Sequence, residues 1–573
     1  MATSPDSLTT IPSARWNNAL LDQARTEGDP TADALAEGII NDVPFDQATG
    51  RLGYQQLLGV ADLLLLAPEL TLLKDSSATI ALERMPAKYV DYFDPVPAPV
   101  WVDEKKLARA GQIWNDNMLA IIGVLYASSL PQCYLIGKGI PALYQSGKLG
   151  QHRFIYQRIY ETGIMLDAVM EPGGLSVFRD LPKTAGQTGT RYVWGRGYVA
   201  AKKVRMLHAS MRVLLTKPHV LQSAMSANGA AAKFAATSIG AMTVANPTGQ
   251  TLAGKPQLVT YDVNTLGQPI NQEDLVYTLL TFGLAIPEGL RSWGCHLSDD
   301  DCEAFLHTWL LVGHIMGIRD DLLPDDYTSA KELFKVIKAR QAMGTEMAKK
   351  LTKSLEFFLA EYLPKRMRPD VPMMLIETLL PPENVAMIKP RDSAEPTTAN
   401  RLLLKISFFF VRWYYTFKAI IVRRVPIAGN VLGSSFAIAG DALIDSWRDG
   451  YDRRPFYIPD NATGGWRREP GMNQDVRRAL RDWRVELFGT VFKGLAFLIG
   501  GTLLAAFIVI AAMVWGFWDA DHLITVALNG LGAGALVCGG GWIMSSYILT
   551  ARVQAVVDRR PGPKEPGIDE PIT

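Results

Sequence analysis

One helical face in the middle of the chain carries residues that could hold a metal ion and an anionic ligand. In residues 202–212, side chains three and four positions apart share one face of a helix, so Arg205, His208 and Arg212 are neighbours. Two flanking guanidiniums disfavour a protonated imidazole, which keeps His208 neutral and able to bind a metal. The arginines could neutralise carboxylates of a ligand. A lone histidine on a helix is more often structural, so this face alone leaves both interpretations open.

A second polar face lies in the helical segment 151–171. Arg158, Glu161 and Thr162 follow the i, i+3, i+4 spacing of neighbours on one helix face. These side chains could form a polar patch that hydrogen-bonds dioxygen or a peroxide. The alternative is an ordinary ion pair between Arg158 and Glu161 on a solvent-exposed helix.

The elements that must position these faces are helices, because alternating, turn-rich segments typical of strands are scarce. The sequence therefore predicts an all-α fold. Residues 105–130 predict a helix, and residues 113–130 are apolar on nearly all sides, as in a helix at the centre of a bundle. Pro131 should end this helix.

Two further helices carry start signals. Asn271 is followed three residues later by Asp274, and Ser298 by Asp301, so each pair predicts a capped helix N-terminus. The second helix should end near Gly317, since glycine takes the left-handed closing conformation readily.

The C-terminal region has the composition of a membrane anchor. Residues 494–517 and 523–549 contain no charged residue, and each is long enough to span a bilayer. The short connection between them is acidic and basic residues flank the pair, so both ends are predicted to be cytosolic. The preceding apolar stretch 406–421 is interrupted by Arg412 and Lys418, which favours a helix lying along the membrane surface.

These composition changes divide the chain into six segments. They are an N-terminal extension (1–100), a helical domain that contains both polar faces (101–330), a helical extension (331–400), a basic juxtamembrane segment (401–493), two transmembrane helices (494–550) and a polar tail (551–573). On this division, truncation before Leu487 should release the soluble part without disturbing its site.

Lysine plus arginine (58) nearly equals aspartate plus glutamate (57), so the chain has no overall field to attract nucleic acid.

Several separated segments together resemble the MpaB and latex-clearing protein (rubber oxygenase) family. They occur in the family's order over roughly residues 100 to 325. The matching segments are Tyr126-Ala127-Ser128-Ser129-Leu130-Pro131, Arg158 to Thr162, Lys203 to Ala209, Gly267 to Leu275, Trp309, Gly313 with Gly317, and Leu322-Leu323-Pro324.

The resemblance implies an all-helical domain that binds one haem b, with His208 as the proximal iron ligand. His314 is the nearest competitor for that position. The family's chemistry is oxidative cleavage of carbon–carbon double bonds in isoprenoid chains with dioxygen. Arg158 and Thr162 match polar positions on the distal side of the rubber-cleaving members, and Arg205 and Arg212 are candidates to pair with the haem propionates.

Two departures bear on the substrate. Glu161 stands where the rubber-cleaving members have a lysine, and no glutamate lies between Glu104 and Glu161 to match their proposed base. A membrane-soluble isoprenoid or lipid is therefore a better expectation than rubber. We predict a membrane-anchored haem oxygenase. The alternatives are a non-catalytic haem-binding or sensor protein of the same fold and a membrane scaffold without cofactor.

Overall fold

The protein is largely helical in the computed structural model. The structure describes residues 15–42, 86–145, 152–179, 192–217, 261–363 and 365–424, with the shorter stretches 438–440, 442–444, 479, 481–491, 493–494 and 547–559. The α-helices of these ranges are α1 (Asn18–Thr26), α2 (Pro30–Asp42), α3 (Ala87–Val90), α4 (Glu104–Val124), α5 (Leu130–Cys133), α6 (Ile140–Gln145), α7 (His152–Met170), α8 (Arg196–Thr216), α9 (Val263–Leu266), α10 (Gln272–Gly283), α11 (Ala285–Ser292), α12 (Asp299–Ile315), α13 (Tyr327–Gln341), α14 (Glu346–Ala360), α15 (Val371–Glu377), α16 (Pro382–Ile388) and α17 (Thr398–Arg424).

One small sheet departs from the predicted all-α fold. Strands β1 (Val177–Arg179) and β2 (Tyr192–Trp194) pair antiparallel, with Phe178 opposite Val193. Aromatic and β-branched residues in these three-residue runs suit a pleated pairing. The helical character predicted from the sequence is confirmed, and the sheet is a local addition immediately before α8.

The two predicted helix starts are confirmed. The side chain of Asn271 accepts a hydrogen bond from the backbone N–H of Asp274 (2.9 Å), at the start of α10. Ser298 and Asp301 form a reciprocal capping box at the start of α12. Helix α12 ends two residues before Gly317, which has a φ of +80°. Local chemistry therefore sets these helix ends.

The prediction that Pro131 ends the central helix is wrong. After α4 the chain continues through a π-helical turn, Leu125–Ser129, directly into α5. In this turn the Leu130 N–H donates to the carbonyl of Leu125, five residues back. Pro131 sits in the first turn of α5, where a proline's missing N–H costs little. The wider turn thus accommodates the proline without interrupting the helix.

The N-terminal residues 15–42 belong to the main hydrophobic core. Trp16 and Leu21 are buried in the same cluster as Trp114 of α4, Trp309 of α12 and Leu333 of α13. Helix α12 packs against both α4 and α10, which forms the centre of the domain. The polar composition before residue 43 reflects the solvent-facing side of α1 and α2. Residues 15–42 consequently share the hydrophobic core of the helices from the predicted domain 101–330.

The predicted transmembrane pair falls almost entirely outside the described residues. Among the helices that the structure does describe, none combines the length and apolarity needed to span a bilayer. The two predicted spans therefore remain predictions.

The helices that flank the predicted spans are packed onto the domain. Leu487 is buried, and the ring of Phe488 lies 5.6 Å from that of Tyr362. Arg484 is also buried and pairs with Glu361 (3.6 Å) at the end of α14. Truncation before Leu487 would keep the Arg484–Glu361 pair but remove the buried Leu487 and the contact of Phe488 with Tyr362. That such a truncated protein keeps its site stays a prediction.

Candidate functional site

Helix α8 carries the predicted metal ligand and lies inside the domain. It packs against α2, α7 and α12, and Met206 and Ala209 on it are completely buried. Lys203 and Ser210 are equally buried, which is unusual for polar side chains and marks α8 as a central element. His208 is half-buried, and its Nδ1 atom lies in the interior.

Arg205 does not flank His208 as a free positive charge. Its Nε and Nη2 atoms donate to the two carboxylate oxygens of Asp29, at 2.6 and 3.0 Å. Its Nη1 also donates to the backbone oxygen of Ile315 (3.2 Å). A Cβ at Gly317 would come within 2.7 Å of the Arg205 guanidinium carbon, so this glycine makes room for the ion pair. The two-oxygen contact is the strong form of an arginine–carboxylate pair.

Arg212, two helical turns later, also pairs with an aspartate. Its Nε donates to Asp33 (2.7 Å) and its Nη1 to the backbone oxygen of Ile270 (3.0 Å). Burial raises the pKa of the Asp33 carboxyl, and the adjacent Arg212 partly opposes this shift.

Arg205 and Arg212 therefore already have acidic partners, and their predicted role in binding a cofactor stays a prediction. Each charge is compensated by an aspartate of the N-terminal segment, and the pairs fasten that segment to α8. Asp29 and Asp33 were not among the predicted site residues. They lie more than 170 positions from their partners, and nothing in their local sequence marks them.

The second polar face lies on α7, which packs against α8. Glu161 is buried and Thr162 is half-buried. Arg158 belongs to α7, but its side chain lies outside the described residues. A buried carboxylate is expensive unless it is paired or hydrogen-bonded. The alternative of a solvent-exposed ion pair does not fit the buried Glu161, and the structure brings the two polar helices into contact.

Two other histidines have surface roles. The Nδ1 atom of His314 lies 2.8 Å from a carboxylate oxygen of Asp320, and its side chain is 37% exposed at the end of α12. The Nε2 atom of His296 lies 3.1 Å from the hydroxyl of Thr416 on α17. His314, the nearest competitor as iron ligand, thus points to the domain surface.

His307 is a structural residue in the interior. Its Nε2 accepts a hydrogen bond from the backbone N–H of Asp103 (2.9 Å), next to the start of α4. The ring also contacts Trp101 edge to face, with centroids 5.5 Å apart. Burial lowers the pKa of His307 to about 4, with a smaller contribution from Lys106. The neutral imidazole is therefore the form that supports the fold.

This lowered pKa predicts a loss of stability in mild acid. In the unfolded chain His307 is protonated below its ordinary pKa of 6.5, whereas in the folded protein it is protonated only below a pKa of about 4. The stabilisation is therefore present above pH 6.5 and is lost as the pH falls through that window, by about 2 kcal/mol. Thermal unfolding of the wild type and of His307→Gln from pH 7 to pH 4 tests this. Glutamine still accepts from Asp103, so the variant should lose less stability. Parallel pH profiles would contradict the prediction.

The part of the chain that contains α8 is similar to a known protein family. A model of the family described as "ER-bound oxygenase mpaB/B'/Rubber oxygenase, catalytic domain" matches residues 184–413. This range includes Arg205, His208 and Arg212, and it begins after α7. Arg158, Glu161 and Thr162 consequently lie outside the matched range.

Two individual proteins are also similar. The rubber oxygenase of Streptomyces sp. (strain K30) is 27% identical over 108 residues, which is 18% of this chain and 26% of that protein. The matched part thus spans about a quarter of that relative. Latex clearing protein LCP in the closed state aligns at 18% identity with a TM-score of 0.42, over 68% of this chain and 84% of that one.

Proposed function

We propose that the protein is a haem b-dependent oxygenase, because residues 184–413 match the model of the MpaB and rubber-oxygenase catalytic domain. Its substrate would be an apolar, unsaturated molecule that reacts with dioxygen. The observation that carries the proposal is the family match over α8, together with a histidine on that helix whose Nδ1 is interior.

The residues around His208 suit a haem in their donor chemistry. An imidazole on an interior helix is a usual axial ligand of haem iron, and His208 would hold the iron here. Of the other histidines with described side chains, His314 and His296 lie at the surface, and His307 accepts a hydrogen bond from the backbone N–H of Asp103 before α4. Arg205 and Arg212 would support α8 instead of binding the propionates, because both already pair with aspartates. A bound haem would supply the activation of dioxygen.

The polar face of α7 would act on the reacting oxygen. The hydroxyl of Thr162 and the guanidinium of Arg158 can donate hydrogen bonds to an oxygen atom that gains negative charge. The buried Glu161, where α7 packs against α8, would hold Arg158 and Thr162 in position. The surrounding apolar core would exclude water and so strengthen these interactions.

The substrate class follows from the departures in α7. With Glu161 in place of a lysine and no glutamate between Glu104 and Glu161 to act as the family's base, we favour an isoprenoid or lipid that dissolves in a membrane over rubber. The same departures support the second candidate, a haem-binding or sensor protein without turnover. Incubation with unsaturated isoprenoids and dioxygen separates the two. Oxygen uptake with carbonyl products supports the oxygenase, whereas a haem spectrum without turnover supports the sensor.

The hydroxyl of Thr162 offers a specific test of the site. We expect Thr162→Val to keep its haem content and to lower kcat by about tenfold or more, because one hydrogen-bond donor to the developing charge is lost. Thr352→Val is the matched control, since Thr352 is a buried threonine of α14 whose hydroxyl donates to the backbone oxygen of Ala348. Equal kcat values for the two variants would remove Thr162 from the reaction.

We also propose that residues 494–550 form a transmembrane hairpin with both ends in the cytosol. The absence of charge in the two stretches and the basic residues around them support this orientation. Asn461, in an Asn-Ala-Thr glycosylation sequence, would then be cytosolic. We expect no glycan at Asn461 when the full chain is made in a eukaryotic cell. A mass shift that endoglycosidase reverses would overturn the topology.

A further inference from the structure

Helix α17 presents an apolar stripe to the outside of the domain. Leu402, Ile406 and Phe409 follow one line of the helix at i, i+4 and i+7. They are 60%, 44% and 65% exposed, and Leu403 beside them is also exposed. Large apolar side chains grouped at this exposure on one helix face usually mark an interaction surface.

The opposite side of α17 holds the helix in place. Phe408 packs against Trp293, with ring centroids 5.7 Å apart. Arg412 donates to the backbone oxygen of Ser292 (2.9 Å), and Tyr414 is buried. The orientation of α17 is therefore determined by packing, and the stripe faces outward as a fixed part of the surface.

The charges of α17 are all of one sign. The helix contains arginines and lysines and no acidic residue. Arg401 and Lys405 are exposed along one edge of the stripe. A second copy of this face would bring like charges together, which disfavours self-association. An acidic lipid surface matches both the apolar stripe and its basic edge.

The position of α17 in the fold points to the same partner. Tyr414 packs in one cluster with Val491 and Leu549, which lie at the borders of the uncharged stretches 494–517 and 523–549. The neighbouring Tyr547 and Ile548 are exposed as well. The outward stripe thus belongs to the same end of the domain as both predicted membrane spans.

We propose that the stripe Leu402–Ile406–Phe409 docks into the acidic-lipid face of a bilayer, with α17 parallel to the membrane plane. This inference rests on the proposed transmembrane hairpin and adds a second contact, which fixes how the catalytic domain stands on the membrane. Basic residues along the helix prevent α17 from crossing, whereas the apolar stripe can enter the headgroup region.

Depth-dependent quenching of a fluorescent label in the full-length protein tests the docking. Phe409→Cys is labelled with an environment-sensitive dye after reconstitution into vesicles of phosphatidylcholine and phosphatidylserine with brominated acyl chains. The wild type, treated in parallel, gives the background from its four native cysteines. Met343→Cys is the matched control, because Met343 is 50% exposed and lies between α13 and α14. Ala505→Cys, within the first uncharged stretch, reports on the hairpin itself.

The three labels distinguish the possible results. Quenching at positions 409 and 505 but not at 343 supports the docking. Quenching at 505 alone leaves the hairpin intact and overturns the docking, and quenching at neither position rejects both. Energy transfer between labels at 409 that disappears when the protein is diluted with lipid would show that a second copy covers the stripe, which also overturns the proposal.

The basic edge provides an independent measurement. In the labelled protein, Lys405→Gln should lower the ratio of docked to undocked helix about fivefold on acidic vesicles, the equivalent of about 1 kcal/mol for one basic residue near the surface. On vesicles of phosphatidylcholine alone, the substitution should have no effect. An equal effect on both kinds of vesicle would exclude recognition of acidic lipid.

Discussion

Replacement of His208 by alanine should abolish stoichiometric haem binding. The imidazole is the proposed ligand that joins protein and iron, and its Nδ1 is buried within the domain, so no surface residue can replace it. Burial of the porphyrin could retain a substoichiometric fraction of haem with a shifted Soret band. Haem per chain and the Soret position measure the effect in purified protein.

The other described histidines provide the controls for this experiment. His296→Ala and His314→Ala remove surface contacts to Thr416 and Asp320 and should leave haem content and spectrum unchanged. His307→Ala should lower stability while the Soret position stays the same, because His307 bonds to the backbone N–H of Asp103, the residue that caps α4. Loss of haem in His314→Ala with a normal spectrum in His208→Ala would move the ligand to α12 and reject the proposed site.

Replacement of Glu273 by alanine should be the most destabilising substitution proposed for the fold. The carboxylate of Glu273 is completely inaccessible to solvent and accepts from Arg25 (3.0 Å), Arg340 (3.1 Å) and Gln341 (2.6 Å). Removing one partner of a buried ionic network leaves uncompensated charge inside, which costs about 3–5 kcal/mol. We expect the free energy of unfolding to fall by that amount in denaturant titrations.

An exposed glutamate serves as the matched control. Glu346 starts α14, is 63% exposed in its side chain and pairs with Lys349 (3.0 Å). Glu346→Ala should change the free energy of unfolding far less than Glu273→Ala does, because solvent screens an exposed ion pair. If Glu273→Ala lowers the free energy of unfolding no more than this control does, the network contributes little to stability. In that case it does not hold α1, α10 and α13 together.

Helix ends were predictable because their causes are local. The side chains of Asn271 and Ser298 accept hydrogen bonds from backbone N–H groups three residues later, so four consecutive residues are enough to predict each cap. Pro131 shows the limit of such rules. Its effect on the helix depended on whether the preceding turn could widen to π geometry, and that turn is held by packing against α10, α11 and α15.

The sequence by itself determined the helical fold class, the principal helix starts and the helix face that carries His208, because these depend on periodicity and on neighbours within one or two turns. Only the tertiary structure decided what Arg205 and Arg212 do. Their partners Asp29 and Asp33 are more than 170 residues away, and the low dielectric of the folded core strengthens the attraction within each pair. The sequence shows which side chains are charged, whereas the packing of the folded chain determines which acidic and basic side chains form pairs.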